Sequence, residues 1–150
     1  MTFEPSLRPS DRVAIVGAVS PATVAAPGTV STGWVDAKDF ARFLAIVQTG
    51  TLPASAVVAA KMEQATDAAG AGVKNLPGRA ITDLDATADD KQALVNASVK
   101  DLDHAGGFGF VRLTLTVTGA NAPVSAVLLG FNPRYFPASD YDAASVVEIV

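Results

Sequence analysis

The feature that most constrains this fold is an alternation of apolar and polar side chains ahead of Thr118. The apolar side chains fall on one face and the polar ones on the other: Val111, Leu113, Leu115 and Val117 against Arg112, Thr114, Thr116 and Thr118. A period of two predicts a half-buried strand, because successive side chains of a strand point to opposite faces. A second apolar run, Pro123 to Phe131, follows turn residues. We therefore interpret 108–131 as an antiparallel hairpin.

Other short strands are predicted along the whole chain. They cover residues 12–17, 80–84 and 92–99, whereas Val19 to Thr32 is expected to be extended chain with a turn, and Thr66 to Arg79 a long loop. Residues 145–150 suit either a last strand or an arm that pairs with another subunit. Seven to nine strands without a βαβ rhythm indicate an all-β fold.

The stretch from Asp36 to Gly50 fits two structures. Phe40, Phe43, Leu44 and Val47 have helical spacing, and Asp36 could cap such a helix. A strand is favoured, because Thr49 to Pro53 has turn chemistry and residues 56–65 could return as its hairpin partner.

These elements predict an antiparallel two-sheet sandwich of the jelly-roll type, with a small barrel as the alternative. We expect one domain over residues 1–150, with an N-terminal arm at 1–11 and a C-terminal extension at 132–150. The two prolines at Pro5 and Pro9 favour an extended arm.

Composition excludes several classes of protein. The net charge is -4, whereas a nucleic-acid surface needs a basic stripe. There is no cysteine, and no apolar run approaches the roughly 20 residues of a membrane span. Only 17% of the residues are charged. So little charge suits a protein covered by neighbours, and equally an alanine-rich monomer.

The sequence contains no catalytic constellation. His104 is the only histidine, so a triad or a histidine-rich zinc site cannot form, and a solvated turn is expected there. Asp83, Asp85, Asp89 and Asp90 are interpreted as an acidic turn, because an EF-hand would need glycine and glutamate where Ala88 and Leu94 stand; an irregular calcium site is the alternative. We therefore expect no enzyme, no cofactor and no metal.

Five side chains are candidate contacts with another subunit or a ligand. They are the aromatic residues of two regions and a neighbouring arginine: Trp34, Arg134, Tyr135, Phe136 and Tyr141. Such aromatics anchor subunits because they bury a large area at small entropic cost. A sugar-stacking platform is the alternative.

Several motifs resemble one family of proteins. They are 33–40, 44–52 and 60–70 with Met62-Glu-Gln-Ala-Thr-Asp67, then Leu102-Asp103, the alternating stretch from Phe108, and 130–137 with Arg134-Tyr135. Over residues 12–137 the chain resembles small β-rich structural proteins encoded in the head-gene regions of tailed phages, prophages and gene transfer agents. Nothing beyond about Pro137 matches this pattern.

The resemblance implies a component of a phage-like virion, attached to the capsid as a decoration protein or the base of a vertex spike. Implied partners are the major capsid protein, a fibre or spike protein, and further copies of the chain, with no nucleic acid and no membrane. We expect synthesis in the bacterial cytoplasm, because the N-terminus lacks the features of a secretory signal. Alternatives are a carbohydrate- or receptor-binding module and a head-tail connector or tail protein.

Overall fold

The computed structural model describes residues 7–150. Nine strands form two sheets, joined by short 3-10 turns. The strands are β1 (Val13–Val24), β2 (Gly28–Ser31), β3 (Val35–Asp36), β4 (Phe40–Thr49), β5 (Val57–Ala65), β6 (Lys74–Ala80), β7 (Gln92–Ser98), β8 (Phe110–Thr118) and β9 (Ala122–Pro133).

The strand order confirms the predicted antiparallel sandwich of the jelly-roll type. Sheet A has the order β1-β9-β4-β7, and sheet B has the order β2-β8-β5-β6, with β3 also beside β8. Every pairing between these strands is antiparallel. Consecutive strands therefore alternate between the sheets for much of the chain, as in a jelly roll.

The core lies between the two sheets and is built by the inward face of each strand. The apolar side chains of the alternating stretch in β8 are all fully buried, as predicted. Phe43 in β4, Met62 in β5 and Leu128 in β9 pack against them from both sheets. Full burial of one such side chain contributes about 1.5–3 kcal/mol.

The strand prediction for the contested stretch is confirmed, but its predicted hairpin is wrong. β4 occupies Phe40–Thr49, and Asp36 caps only a 3-10 turn by accepting a hydrogen bond from Lys38 N. β4 pairs with β7 and β9, whereas β5 pairs with β6 and β8. Residues 50–56 thus cross from one sheet to the other, because a strand buried on its inward face must find its partners in its own layer.

The predicted central hairpin is also wrong. β8 and β9 are strands with a short connection, but β8 lies in sheet B and β9 in sheet A. The turn residues between Thr118 and Ala122 therefore carry the chain across the sandwich. Alternation specifies which face of a strand is buried, and it does not specify the neighbouring strand.

Three shorter segments also differ from the sequence-based expectation. β1 extends to Val24 and β2 follows it, where extended chain with a turn was expected. β6 occupies the end of the expected long loop and continues to Ala80, although it contains proline and glycine. In the predicted strand at 80–84, Ala80 is thus the last residue of β6, and Leu84 forms an isolated bridge with Val58.

The ends of the chain differ in how they pack. Most of the predicted arm at 1–11 lies outside the described residues, and its last part is a 3-10 turn at Pro9–Asp11 in which Asp11 is buried. Within the predicted extension at 132–150, β9 continues to Pro133, and Ala143 N donates to Ile15 O at 2.7 Å. Residues 145–150 form no strand in the structure.

None of the helical turns between residues 7 and 150 has the length and apolar character that a membrane crossing requires.

Candidate interaction surfaces

The outward side of sheet A has an apolar centre, which we call the apolar face, and polar residues lie around it on the same side: Gln48, Gln92, Asn96, Ser98 and Ser125. Antiparallel register places its side chains in rows across neighbouring strands, with Leu44 beside Leu129 and Ile46 beside Val127. Its members are Val13, Ile15, Leu44, Ile46, Leu94, Val127, Leu129 and Phe131. Leu94 is 59% exposed, and the others are half-buried. A continuous apolar surface of this kind is typical of a contact site.

Charge is almost absent from sheet A. Within the four strand ranges of this sheet, Arg42 is the only charged residue. Arg42 lies at one end of the apolar face, opposite Phe131 on one side and Ser98 on the other. A groove of about 340 Å³ opens at this end, lined by Arg42, Leu44, Phe131 and Asn96, with Arg79 from β6 at its rim. The face therefore combines an apolar centre with one basic end.

The outward side of sheet B is polar, and we call it the threonine face. Hydroxyl side chains lie opposite one another on β2 and β8: Ser31 beside Thr114 with 3.0 Å between oxygens, and Thr29 beside Thr116 at 3.4 Å. Opposed threonine and serine pairs stabilise neighbouring strands. These pairs satisfy one another within the sheet, so this face is less suited than the apolar face to burial against a partner.

A buried carboxylate organises one end of the threonine face. Glu63 accepts hydrogen bonds of 2.8 Å from Arg112 Nε and from Thr114 Oγ1, and Lys61 Nζ lies 3.3 Å from its other oxygen. Burial alone would raise the pKa of Glu63. The hydrogen bonds from Thr114, Arg112 and Lys61 outweigh it, so the pKa of Glu63 is lowered from its usual value. Glu63 is therefore ionised and fully engaged, which suits a structural role.

Trp34, the first candidate contact, extends this cluster. The Arg112 guanidinium carbon lies 4.4 Å from the centroid of the Trp34 ring, within the range of a cation–π contact. The indole also packs against Gly70, where a Cβ atom would lie 2.5 Å from Trp34 Nε1. Trp34 is half-buried. It is held between Arg112 and the loop 66–73, and little of its ring is available to a ligand.

Three of the other candidate contacts form an exposed group after β9. Tyr135 is 65% exposed and Phe136 is 61% exposed. The Arg134 guanidinium carbon lies 5.6 Å from the Tyr135 ring centroid, and Arg134 N donates to Asp39 O at 2.8 Å. This aromatic tip can contact a partner or a sugar ring.

Tyr141, the last candidate, belongs to the interior packing. Its ring meets the ring of Phe40 edge-on, with 5.3 Å between centroids, and Phe40 is buried. The structure therefore groups Arg134, Tyr135 and Phe136, and it places Trp34 and Tyr141 in separate packing roles.

The residues considered for catalysis and metal binding have local partners. His104 Nε2 lies 2.7 Å from Val99 O in a turn. Asp85 accepts hydrogen bonds from Thr87, and Asp89 accepts one from Leu52 N at 2.6 Å. Among residues 7–150 no cluster of three or more histidine, cysteine or acidic residues is arranged to hold a metal ion.

The sequence indicated the strand positions of Glu63, Lys61 and Arg112, but not their association. Arg112 was assigned to the outward side of its strand, and Glu63 lies within a motif of the family resemblance. The available signal for this association was the presence of opposite charges at outward positions of two predicted strands. Only the pairing of β5 with β8, which sets Glu63 opposite Arg112, brings them together.

Comparisons with known proteins concern only the fold of this chain. No protein-family model matches the sequence, and no curated protein sequence matches it either. Among solved structures, the chain is similar to a chain of infectious bursal disease virus strain Gx, with 12% identity, a TM-score of 0.49, and coverage of 93% of this chain and 38% of that one. It is also similar to a chain of Broad Bean Stain Virus, with 10% identity, a TM-score of 0.43, and coverage of 91% and 92%.

A third likeness is to the CBM22-2 xylan-binding domain of Xyn10C from Paenibacillus barcinonensis, with 12% identity, a TM-score of 0.39, and coverage of 87% and 96%. The structural neighbours thus include viral proteins and a carbohydrate-binding domain. The chain spans 38% of the length of the infectious bursal disease virus chains of strains Gx and Gt. Because each of these TM-scores is below 0.5, the fold assignment rests on the strand order.

Proposed function

We propose that this protein is a non-enzymatic structural component of a phage-like particle, attached to the capsid as a decoration or spike-base protein. The observation on which the proposal rests is the apolar face of sheet A, with Arg42 as the one charge in its strands. The cores of protein interfaces are depleted in charge in the same way. The family resemblance over residues 12–137 supplies the identity of the particle.

The proposal assigns different roles to the two sides of the sandwich. The apolar face lies against the major capsid protein or another virion protein, since its rows of Leu, Ile and Val side chains gain most from removal of water. The threonine face and the aromatic tip at 134–136 remain available, the latter to a fibre or spike protein. A head-tail connector or a tail protein would use the same apolar face.

Attachment can be tested by sedimentation of phage-like particles from cells that produce this chain. We expect the chain to sediment with the major capsid protein in a density gradient. Leu129→Glu places a carboxylate in the centre of the apolar face and should remove the chain from the particle fraction. Thr116→Glu is the matched control, because it makes the same change at an outward position in a central strand of sheet B.

The outcome separates attachment from misfolding. Both variants should remain folded by circular dichroism, and only Leu129→Glu should lose particle binding. If the unaltered chain never sediments with particles, or if the two variants bind alike, the proposal is wrong.

A second candidate function is recognition of a glycan. The observation that favours it is the exposed pair of rings at Tyr135 and Phe136, beside the Arg134 guanidinium. Aromatic rings of this kind can stack on sugar rings, and a neighbouring arginine can bind their hydroxyl groups. A glycan array with Tyr135→Ala and Trp34→Ala tests it: binding that is lost in the first variant supports recognition by the tip, and no binding by the unaltered chain excludes it.

A further inference from the structure

The outer edge of β7 is an open and unprotected strand edge. β7 is the last strand of sheet A, and no strand in residues 7–150 pairs with its outer side. Its seven residues, Gln92–Ser98, include no proline, glycine or charge. The edge strand β6 of the other sheet has Pro77, Gly78 and two basic residues instead. Proteins protect exposed edges with such residues, so their absence from β7 indicates an edge that accepts another strand.

The backbone groups of this edge point outwards at alternate residues. Thr49 N donates to Lys91 O at 3.0 Å, which makes Thr49 and Lys91 a hydrogen-bonded pair of the β4–β7 ladder. Alternation along an antiparallel ladder then turns the N–H and C=O groups of Gln92, Leu94 and Asn96 away from β4. At the end of the strand, Ser98 N donates to the Asp101 carboxylate at 2.8 Å, which closes the edge there.

The last residues of the chain have the composition of such an added strand. The segment 144–150, which we call the tail, begins in the turn closed by Val146 N and Ala143 O and continues beyond it. Three of its apolar side chains are exposed, Val147 by 93%, Ile149 by 41% and Val150 by 103%, and Val146 is half-buried. Valine and isoleucine are β-branched residues, which favour strands, and Glu148 is the single charged side chain of the tail.

The tail of one molecule cannot pair with its own β7. It leaves the domain at β1, where Ala143 is bonded to Ile15, on the opposite edge of sheet A. A strand outside β7 lies four strand spacings from β1, which takes about 19 Å of the roughly 23 Å that seven extended residues can span. The remaining length, about one residue, is too short to run along Gln92–Ser98.

We propose that the tail of one copy of this chain adds as a strand to the β7 edge of a second copy. Arg42 lines the groove beside Ser98 and attracts Glu148 of the incoming tail, whereas Arg79 in the same groove is already paired with Asp101. Because the two partners use different surfaces, the contact is head-to-tail and repeats into a closed ring or an open fibre. This inference deepens the proposed function, since it supplies the symmetric assembly that would sit on the capsid.

The first test measures the molar mass of the purified chain by light scattering across a concentration series. We expect species that are multiples of the 15.3 kDa protomer, and a single protomer after deletion of residues 145–150. Leu94→Lys adds an edge charge at an exposed position and should weaken association by about tenfold or more. Thr29→Lys, at an exposed position of β2 in sheet B, is the matched control and should leave association unchanged.

Disulfide trapping tests which surfaces meet, because the chain has no native cysteine. Molecules with Val147→Cys are mixed with molecules that have a cysteine in place of Gln92, Leu94 or Asn96, and oxidised. At least one mixture should give a covalent mixed dimer, whereas Val147→Cys with Thr29→Cys should not. A protomer mass for the unaltered chain at all concentrations, an unchanged mass after tail deletion, or no mixed dimer from any β7 position would overturn the inference.

The two proposals fail in distinguishable ways. Leu129→Glu should detach the chain from particles while purified protein still forms rings or fibres. Tail deletion should abolish self-association of the purified chain. An oligomer that never binds particles would contradict the virion role alone, and a particle-bound chain with no tail-to-edge contact would contradict this inference alone.

Discussion

The two outward faces of this sandwich have opposite chemistry. The strands of sheet A contain one charged residue, Arg42, and present a continuous apolar surface. The threonine face of sheet B instead places hydroxyl pairs beside the carboxylate Glu63, whose hydrogen bonds come from Arg112 and Thr114. One face has its polar groups satisfied within the chain, and the other leaves apolar area exposed. The comparison shows that a two-layer fold can satisfy its polar groups on one outward side and still expose apolar side chains on the other.

Removal of Arg112 should have the largest effect on the threonine face. Arg112→Ala leaves the Glu63 carboxylate, in a residue only 8% exposed, without its guanidinium partner. Loss of one member of a buried ion pair is expected to lower the free energy of unfolding by about 3 kcal/mol. Denaturant unfolding at neutral pH measures this loss of stability.

Arg42→Ala is the control for this substitution. Arg42 is exposed on the apolar face, and surface substitutions change stability by less than about 0.5 kcal/mol. Equal destabilisation by the two variants would show that Glu63 and Arg112 do not organise sheet B.

A methyl group at position 70 should disturb the indole of the threonine face. Gly70 has φ of +87°, and a Cβ atom there would lie 2.5 Å from Trp34 Nε1. We expect Gly70→Ala to cost about 2 kcal/mol and to shift the fluorescence of Trp34, the only tryptophan. Gly78→Ala meets the same φ strain at +70° without a nearby atom, so it should cost about 1 kcal/mol and leave the emission unchanged. An unshifted spectrum in Gly70→Ala would place the indole elsewhere.

The stability of sheet B should also depend on pH through Glu63. Its pKa in the folded protein is lowered from the ordinary value of 4.5, by hydrogen bonds that outweigh burial. The stabilisation is therefore complete above about pH 4.5 and is lost as the pH falls through the folded-state pKa. Glu63→Gln should be less stable than the unaltered chain at pH 6, and the gap should narrow towards pH 3. A gap that widens on acidification would contradict the assigned ionisation of Glu63.

Replacement of one leucine of the apolar face by threonine should have only a small effect on folding. Leu129→Thr keeps a strand-forming residue at a half-buried outward position, so the free energy of unfolding should change by less than about 1 kcal/mol. The same substitution should weaken attachment to the particle. A large loss of stability in the free chain would mean that the apolar face is already covered within the molecule.

The sequence was sufficient for the layers of this fold and insufficient for their connections. Alternation in β8 correctly identified four buried side chains, and the strand over Phe40–Thr49 was correctly preferred to a helix. Both predicted hairpins were wrong, because each connects strands of different sheets. Which face of a strand is buried follows from the sequence of that strand alone. Which strands pair depends on residues that are far apart in the sequence.

The candidate surfaces show the same limit. Tyr135 and Phe136 are exposed at the end of β9, as contact residues must be, but the larger apolar face was not predicted. Its members come from four strands that are distant in sequence, including Ile15, Leu44 and Leu129. Without the register of the strands, the sequence does not show that these side chains lie side by side on one face. The Trp34–Arg112–Glu63 cluster was missed for the same reason.

Hydroxyl-radical footprinting of the free and the particle-bound chain tests whether the apolar face lies against the particle, because it reports the solvent accessibility of individual side chains. We expect Leu44, Leu129 and Phe131 of the apolar face to lose their labelling on the particle, while Trp34 beside the threonine face is labelled equally in both states. Unchanged labelling of the apolar face, or protection confined to Trp34, would contradict this expectation.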